Sequence, residues 1–181
     1  MRRIFCLLVV LLYVNNALSQ HYKPVDSLSE VKFTIKNFGI NTPGSFKGLK
    51  GKINFSANNL ANNSFNLSVE AGSVNTGIDL RDSHLKKTDY FDVAKYPIIT
   101  FISTKITADV AETGTYTIFG RLSLKGISKD ISFPFKAVQQ NNGLLFTGAF
   151  KINRRDFNVG GSTAVLSNSV EMNLKVFVVK N

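Results

Sequence analysis

From residue 31 onward, apolar and polar side chains alternate in one run after another. Val31, Phe33 and Ile35 are separated by Lys32 and Thr34, and Leu49, Gly51, Ile53 and Phe55 by Lys50, Lys52 and Asn54. The alternation continues through Phe65, Leu67, Val69 and Ala71, then Ile99 with Phe101, then Tyr116, Ile118, Gly120, Leu122 and Leu124. Ile131, Phe133, Phe135 and Ala137 make a sixth run. Phe146, Gly148, Phe150 and Ile152 make a seventh, and Val170, Met172, Leu174, Val176 and Val178 an eighth. A period of two places the apolar members of a run on one face of an extended strand, so the pattern predicts eight amphipathic strands. Turn-forming clusters fall between them, among them Asn58-Asn59, Glu112-Thr113-Gly114, Gly126 with Ser128, and Asn141-Asn142-Gly143. Strands joined mostly by hairpins favour an all-β, antiparallel up-and-down barrel, whose closure removes exposed edges. Pro134, inside the sixth run, predicts an edge, a bulge or a frayed seam, because proline donates nothing to a ladder. One segment breaks the period. It predicts a short helix over 79–87, with Asp79 as N-cap, Asp82 in the first turn and Lys86-Lys87 in the last.

The inward faces are aromatic and aliphatic. The residues expected to line the interior are Phe33, Ile35, Ile53, Phe55, Phe65, Phe101, Ile118, Leu122, Phe133, Phe135, Phe150, Met172 and Val176. Eight strands enclose an interior that side chains just fill or that holds one small ligand, so strand number leaves both outcomes open. Gly48, Gly51, Gly120 and Gly148 fall within strand runs, where glycine leaves room or marks strong bending.

The N-terminus carries a different signal. Arg2 and Arg3 precede an eleven-residue apolar run from Ile4 to Val14, and Ala17-Leu18-Ser19 follows before Gln20. These are the three parts of a secretory signal peptide over 1–19, and the apolar run is too short to cross a bilayer. The expected product is a domain over 20–181, exported to the periplasm or secreted. Without residues 1–19 the chain has 20 Lys and Arg against 12 Asp and Glu, a net charge of +8. Its one cysteine, Cys6, lies in the expected signal, which excludes a thiol enzyme, a disulfide scaffold and a zinc-thiolate centre. Outward lysines (Lys32, Lys36, Lys50, Lys52, Lys125, Lys129, Lys136, Lys151 and Lys175) and the pair Arg154-Arg155 supply the positive charge. They keep strands soluble and suit an anionic membrane surface. Nucleic acid is not expected for an exported chain without an aromatic stacking motif.

Arg81-Asp82-Ser83-His84-Leu85 is the densest ionisable cluster. It reads either as a locally satisfied helix or as polar groups around a head group or a catalytic centre. His84 as general base beside Asp82 would make a hydrolase-like enzyme, but no further convergent group supports that chemistry. With His21 at the far N-terminus, a two-histidine metal site is not expected.

Taken together, these runs and motifs resemble the YceI-like family of exported, lipocalin-like barrels. The resemblance rests on Gly44-x-Phe46-x-Gly48-x-x-Gly51, Ser73-Val74-Asn75-Thr76, Arg81-Asp82-x-His84-Leu85 and Tyr90-Phe91-Asp92 with Tyr96-Pro97-x-x-Thr100-Phe101. It extends through Gly120-x-Leu122-x-Leu124-x-Gly126-x-Ser128-Lys129 and Ile152-Asn153-Arg154-x-Asp156-Phe157, nearly the whole of 31–178. Asn37 and Lys125 depart from it, standing where the family often has histidine, and Asn158 stands where glycine is usual. The resemblance implies a non-enzymatic carrier that needs no cofactor or metal. Its partner would be a long-chain apolar amphiphile (polyisoprenoid, quinone-like or fatty-acid-like lipid). Arg81, Asp82, His84 and Phe91 would stand at the cavity mouth, and a second copy of the chain is a candidate partner. The alternatives are the His84/Asp82 enzyme and a filled barrel acting through its basic surface.

Overall fold

The computed structural model describes residues 20–181, so the expected signal peptide with Cys6 lies outside the described residues. Nine strands follow in order: β1 (Gln20–Pro24), β2 (Glu30–Asn37), β3 (Ile40–Phe55), β4 (Ser64–Asn75), β5 (Ile98–Ala108), β6 (Thr115–Leu124), β7 (Ile127–Gln140), β8 (Gly143–Asn153) and β9 (Leu166–Lys180). One α-helix, α1 (Asp79–Leu85), interrupts them. Strands β2 to β9 pair antiparallel with their sequence neighbours, and β2 also pairs with β9, closing the eight-stranded barrel that the alternation predicts.

The ninth strand was not legible in the pattern. β1 pairs with the end of β3 (Tyr22 opposite Ile53) and the end of β9 (Tyr22 opposite Lys180). β2 pairs with the beginnings of the same two strands. The two are therefore one barrel stave broken by a 3-10 turn at Asp26–Leu28. Side chains repair the break. Asp26 Oδ1 accepts from the Leu49 amide (2.8 Å), and the buried Ser29 hydroxyl accepts from the Phe177 amide (3.0 Å) while donating to the Val25 carbonyl (2.7 Å).

Of the three readings of Pro134, the frayed seam is the one found. β7 pairs with β8 only from Phe135 to Gln140, and the ladder stops at the residue that has no N–H. The final residues of β8 pair with β9 alone, and the 3-10 turn Arg154–Phe157 packs against β7 and β9 beside the gap. Gly51 and Gly120 serve bending and ring packing. Gly51 has φ +140, and a Cβ there would lie 2.0 Å from the Asn66 carbonyl oxygen; the Phe101 ring would lie 2.5 Å from a Cβ on Gly120. Both sit at or next to register shifts, in β3 and β5–β6.

Apart from the stave-breaking turn at Asp26–Leu28, the turns and α1 divide between two ends of the barrel. At one end, where β3 finishes and β4 begins, Phe55, Phe65, Tyr116, Phe135 and Phe146 fill the interior, each under 9% exposed. Their rings meet edge to face at 5.2 Å (Phe55–Phe146, Phe65–Phe146, Phe55–Tyr116), and Tyr116 stacks on Phe135 at 5.3 Å. These rings close this end of the barrel. The other end carries α1, the 76–97 loop and the 154–165 loop.

The stave repair makes a direct prediction. Ser29→Ala leaves the buried Phe177 amide without its partner and should cost about 1–3 kcal/mol, read as a lower urea midpoint at unchanged slope. An unaltered midpoint would show that the break does not depend on the hydroxyl.

Candidate functional site

Above the aromatic floor the barrel is hollow. A cavity of about 500 Å³ extends from Phe65, Phe135 and Phe146 to the end that carries α1. Six residue steps along β8, from Phe146 to Ile152, at about 3.3 Å each and tilted by roughly 40°, make it roughly 15 Å deep. Its wall is apolar. On one side of it, Phe133 of β7 and Phe150 of β8 stack on each other at 4.2 Å and 15°, and Phe101 leans on Phe133 at 5.7 Å. Ile35, Phe101, Leu122, Phe150 and Met172 point inward yet are only half-buried, because they face open space rather than neighbouring atoms.

Eleven of the thirteen expected lining residues border this cavity. Ile53 and Phe55 do not. They face inward as expected, but Ile53 is 0% exposed and Phe55 belongs to the aromatic floor, so both are core. Phe46, Val69, Ile99, Ile131 and Leu174 also line the wall and were not among the expected lining residues.

Polar side chains gather where the strands end, at the mouth: Asn37, Thr76, Arg81, His84, Tyr90 and Arg154. α1 supplies two of them, and its end differs from expectation. Ile78 is the N-cap, without a side-chain cap, and Asp79 lies in the first turn. Asp82 is buried; its Oδ1 accepts from the Thr76 amide (2.9 Å) and the Thr76 hydroxyl. It thus pins the helix to the end of β4 and does not border the cavity, as the mouth reading required. Arg81 donates to the Thr76 hydroxyl (2.7 Å) and carbonyl (2.9 Å). His84 is exposed, its ring edge-on to Tyr90 at 5.0 Å. Phe91 lies beneath this segment, buried against Phe46 at 5.4 Å.

Arg154 is the main departure from the sequence reading. It is not a surface charge but 3% exposed. Its guanidinium donates to the carbonyls of Ser167 (2.8 Å), Val159 (2.8 Å), Gly160 (3.0 Å), Gly161 (3.1 Å) and Leu166 (3.1 Å), and to Asn168 Oδ1 (3.2 Å). Burial, with Arg155 beside it, pushes its pKa below the usual arginine value, yet guanidinium stays charged in proteins. It ties together both ends of the loop that forms one side of the mouth. Asn158, just before that loop, adopts a left-handed φ of +52, which asparagine tolerates better than most residues. Lys125 donates to the Asn158 carbonyl (2.7 Å). Lys125, Arg155, Asp89, His84 and Tyr90 border a shallow polar hollow adjoining the mouth.

Set beside known proteins, the match is broad. The family model described as the YceI-like domain covers residues 22–178. The chain belongs to the YceI-like family. Among its relatives, Protein YceI of Escherichia coli O6:H1 is 31% identical over 153 residues, covering 81% of this chain and 78% of the relative. BcnA of Burkholderia cenocepacia superposes with a TM-score of 0.80 at 25% identity, over 85% of this chain and 98% of that one. A polyisoprenoid binding domain from Saccharophagus degradans, implicated in plant cell wall breakdown, has the same fold, with a TM-score of 0.71 at 19% identity over 88% of this chain and 98% of that one. YceI-like barrels are thus the structural relatives of this one.

Floor and wall should respond differently to truncation. Phe55→Ala should cost ~3–5 kcal/mol, as for any large aromatic removed from a packed core. Phe101→Ala, on the cavity wall, should cost distinctly less. Equal losses at the two positions in denaturant titrations would mean that the wall is packed as tightly as the floor.

Proposed function

We propose that this chain is a non-catalytic carrier for a long-chain apolar amphiphile, a polyisoprenoid or a quinone-like or fatty-acid-like lipid, in the periplasm or extracellular space. One observation carries the reading: the cavity is closed by rings at its floor, predominantly apolar along its wall and lined by charged side chains only around its mouth. That gradient matches a molecule with an apolar tail and a polar head. About 0.8 kcal/mol per buried CH₂ gives roughly 8 kcal/mol for ten such groups before ordering costs, so an apolar tail suffices for useful affinity. A volume of about 500 Å³ lies within the range of small-molecule sites.

Membership in the YceI-like family and the likeness in fold to a polyisoprenoid binding domain support this choice of ligand class. The head would meet Arg81 and His84 at the mouth, with Asn37 where family members often have histidine. The hydrolase reading finds less support, since Asp82 is engaged by Thr76 rather than by His84. The signal-like residues 1–19 support export.

The protein purified from its exported fraction should carry lipid visible by native mass spectrometry and recoverable, chemically intact, by organic extraction. Leu122→Trp, which adds bulk to the cavity wall, should keep the fold and lose most of that lipid. A wild-type protein free of lipid under these conditions, or one that converts added lipid to a new product, would overturn the carrier reading.

A further inference from the structure

The end of the barrel that holds the cavity mouth also displays large apolar side chains outward. Phe38 (74% exposed), Ile40 (71%), Ile78 (51%), Leu80 (83%) and Val165 (37%) all lie there. They come from three separate parts of the chain: the β2–β3 hairpin tip, α1 with its N-cap, and the loop before β9. The Phe38 amide donates to the Val165 carbonyl (2.8 Å), so two of these segments are joined at the rim.

Phe38 is the most telling. Asn37 pairs with Ile40, so Phe38 and Gly39 form a two-residue hairpin loop, with φ of +50 and +77. Positive φ at both positions is the type I′ geometry that asparagine, aspartate and glycine serve without strain. A phenylalanine there is unfavourable twice over, in a left-handed backbone and in water. Neither folding nor solubility accounts for it.

The charges around this rim point to what covers it. Leaving aside the buried Arg154 and Asp82, the mouth segments 36–42, 75–98, 124–128 and 153–168 hold seven lysines and arginines against four aspartates. None of the six ion pairs among the described residues involves these cations; all six are made by residues outside the mouth segments. Apolar tips flanked by unpaired lysines match the layered chemistry of a phospholipid interface, with tips reaching the acyl boundary and cations the anionic head groups.

We propose that the mouth rim is a membrane-docking surface: Phe38, Ile40 and Leu80 insert into the interface of an anionic phospholipid bilayer. The cavity opening then faces the bilayer, and an apolar tail can pass between the two without crossing bulk water. This use of the rim rests on the carrier reading, but docking itself is measured without any cavity ligand.

The chain has no tryptophan, so Phe38→Trp places a single indole at the tip. With vesicles of phosphatidylcholine and phosphatidylglycerol its emission should shift to the blue and be quenched by brominated acyl chains, more than with phosphatidylcholine alone. In vesicle flotation, Phe38→Asp with Leu80→Asp should bind at least tenfold more weakly than wild type. Val138→Asp, at an exposed apolar position away from the mouth (53%), should bind as wild type does. Both should retain their native circular dichroism and their lipid load. Unshifted indole emission, or flotation of the double variant equal to wild type, would overturn the proposal. So would a concentration-dependent dimer abolished by the double variant in a protein that ignores vesicles, which would make the rim a self-association face. Docking without any extractable cavity lipid would instead count against the carrier reading alone.

Discussion

The packing of five aromatic rings at one end of the barrel decides what the rest of the interior can be. An eight-stranded barrel has room for little more than its own side chains, and a continuous void along its axis would forfeit most of the burial that holds the strands together. Phe55, Phe65, Tyr116, Phe135 and Phe146, at ring separations of 5.2–6.3 Å, concentrate that burial in one half. With that end packed, inward residues of the other half, such as Phe101, Leu122 and Met172, can stand apart around about 500 Å³ of open volume.

Hollowing one half weakens the wall there, and the fold compensates where ladders fail. At the broken stave, Ser29 and Asp26 replace missing ladder hydrogen bonds. At the open seam past Pro134, a 3-10 turn packs against β7, and the next loop is held by Arg154 through five carbonyls. A buried cation bound only to neutral oxygens is costly to desolvate, and the number of its acceptors is what makes it tolerable. The Arg154 device lies at the end that must stay open, whereas the stave repair lies lower, beside Phe177 and level with the rings of the floor.

Much of this was legible because side-chain parity in a strand is a local property. Alternation gave the eight staves, their inward residues and the short helix, and Pro134 marked the seam. What parity cannot give is height along the barrel. Ile53 and Phe55 alternate in the same way as Phe33 and Ile35, yet one pair is core and the other faces the cavity. Arg154 read as a surface charge because its acceptors belong to a loop that sequence spacing does not bring near it. Asp82 likewise turned from a mouth group into a helix pin, since Thr76 reaches it only once β4 ends. The Phe38-Gly39 turn went unread because phenylalanine is not a residue that announces a tight hairpin.

A chain-length series tests most directly whether the cavity has a fixed depth and a closed floor. Titrating the delipidated protein with a homologous series of n-alkyl amphiphiles, each tightening should be about fourfold per added CH₂, from roughly 0.8 kcal/mol each, until the tail reaches Phe135 and Phe146. Beyond that length the affinity should level off, and in Phe146→Ala the plateau should begin at longer chains. Affinity that does not depend on chain length, or that rises without a plateau in both proteins, would contradict a tail held in a floored cavity.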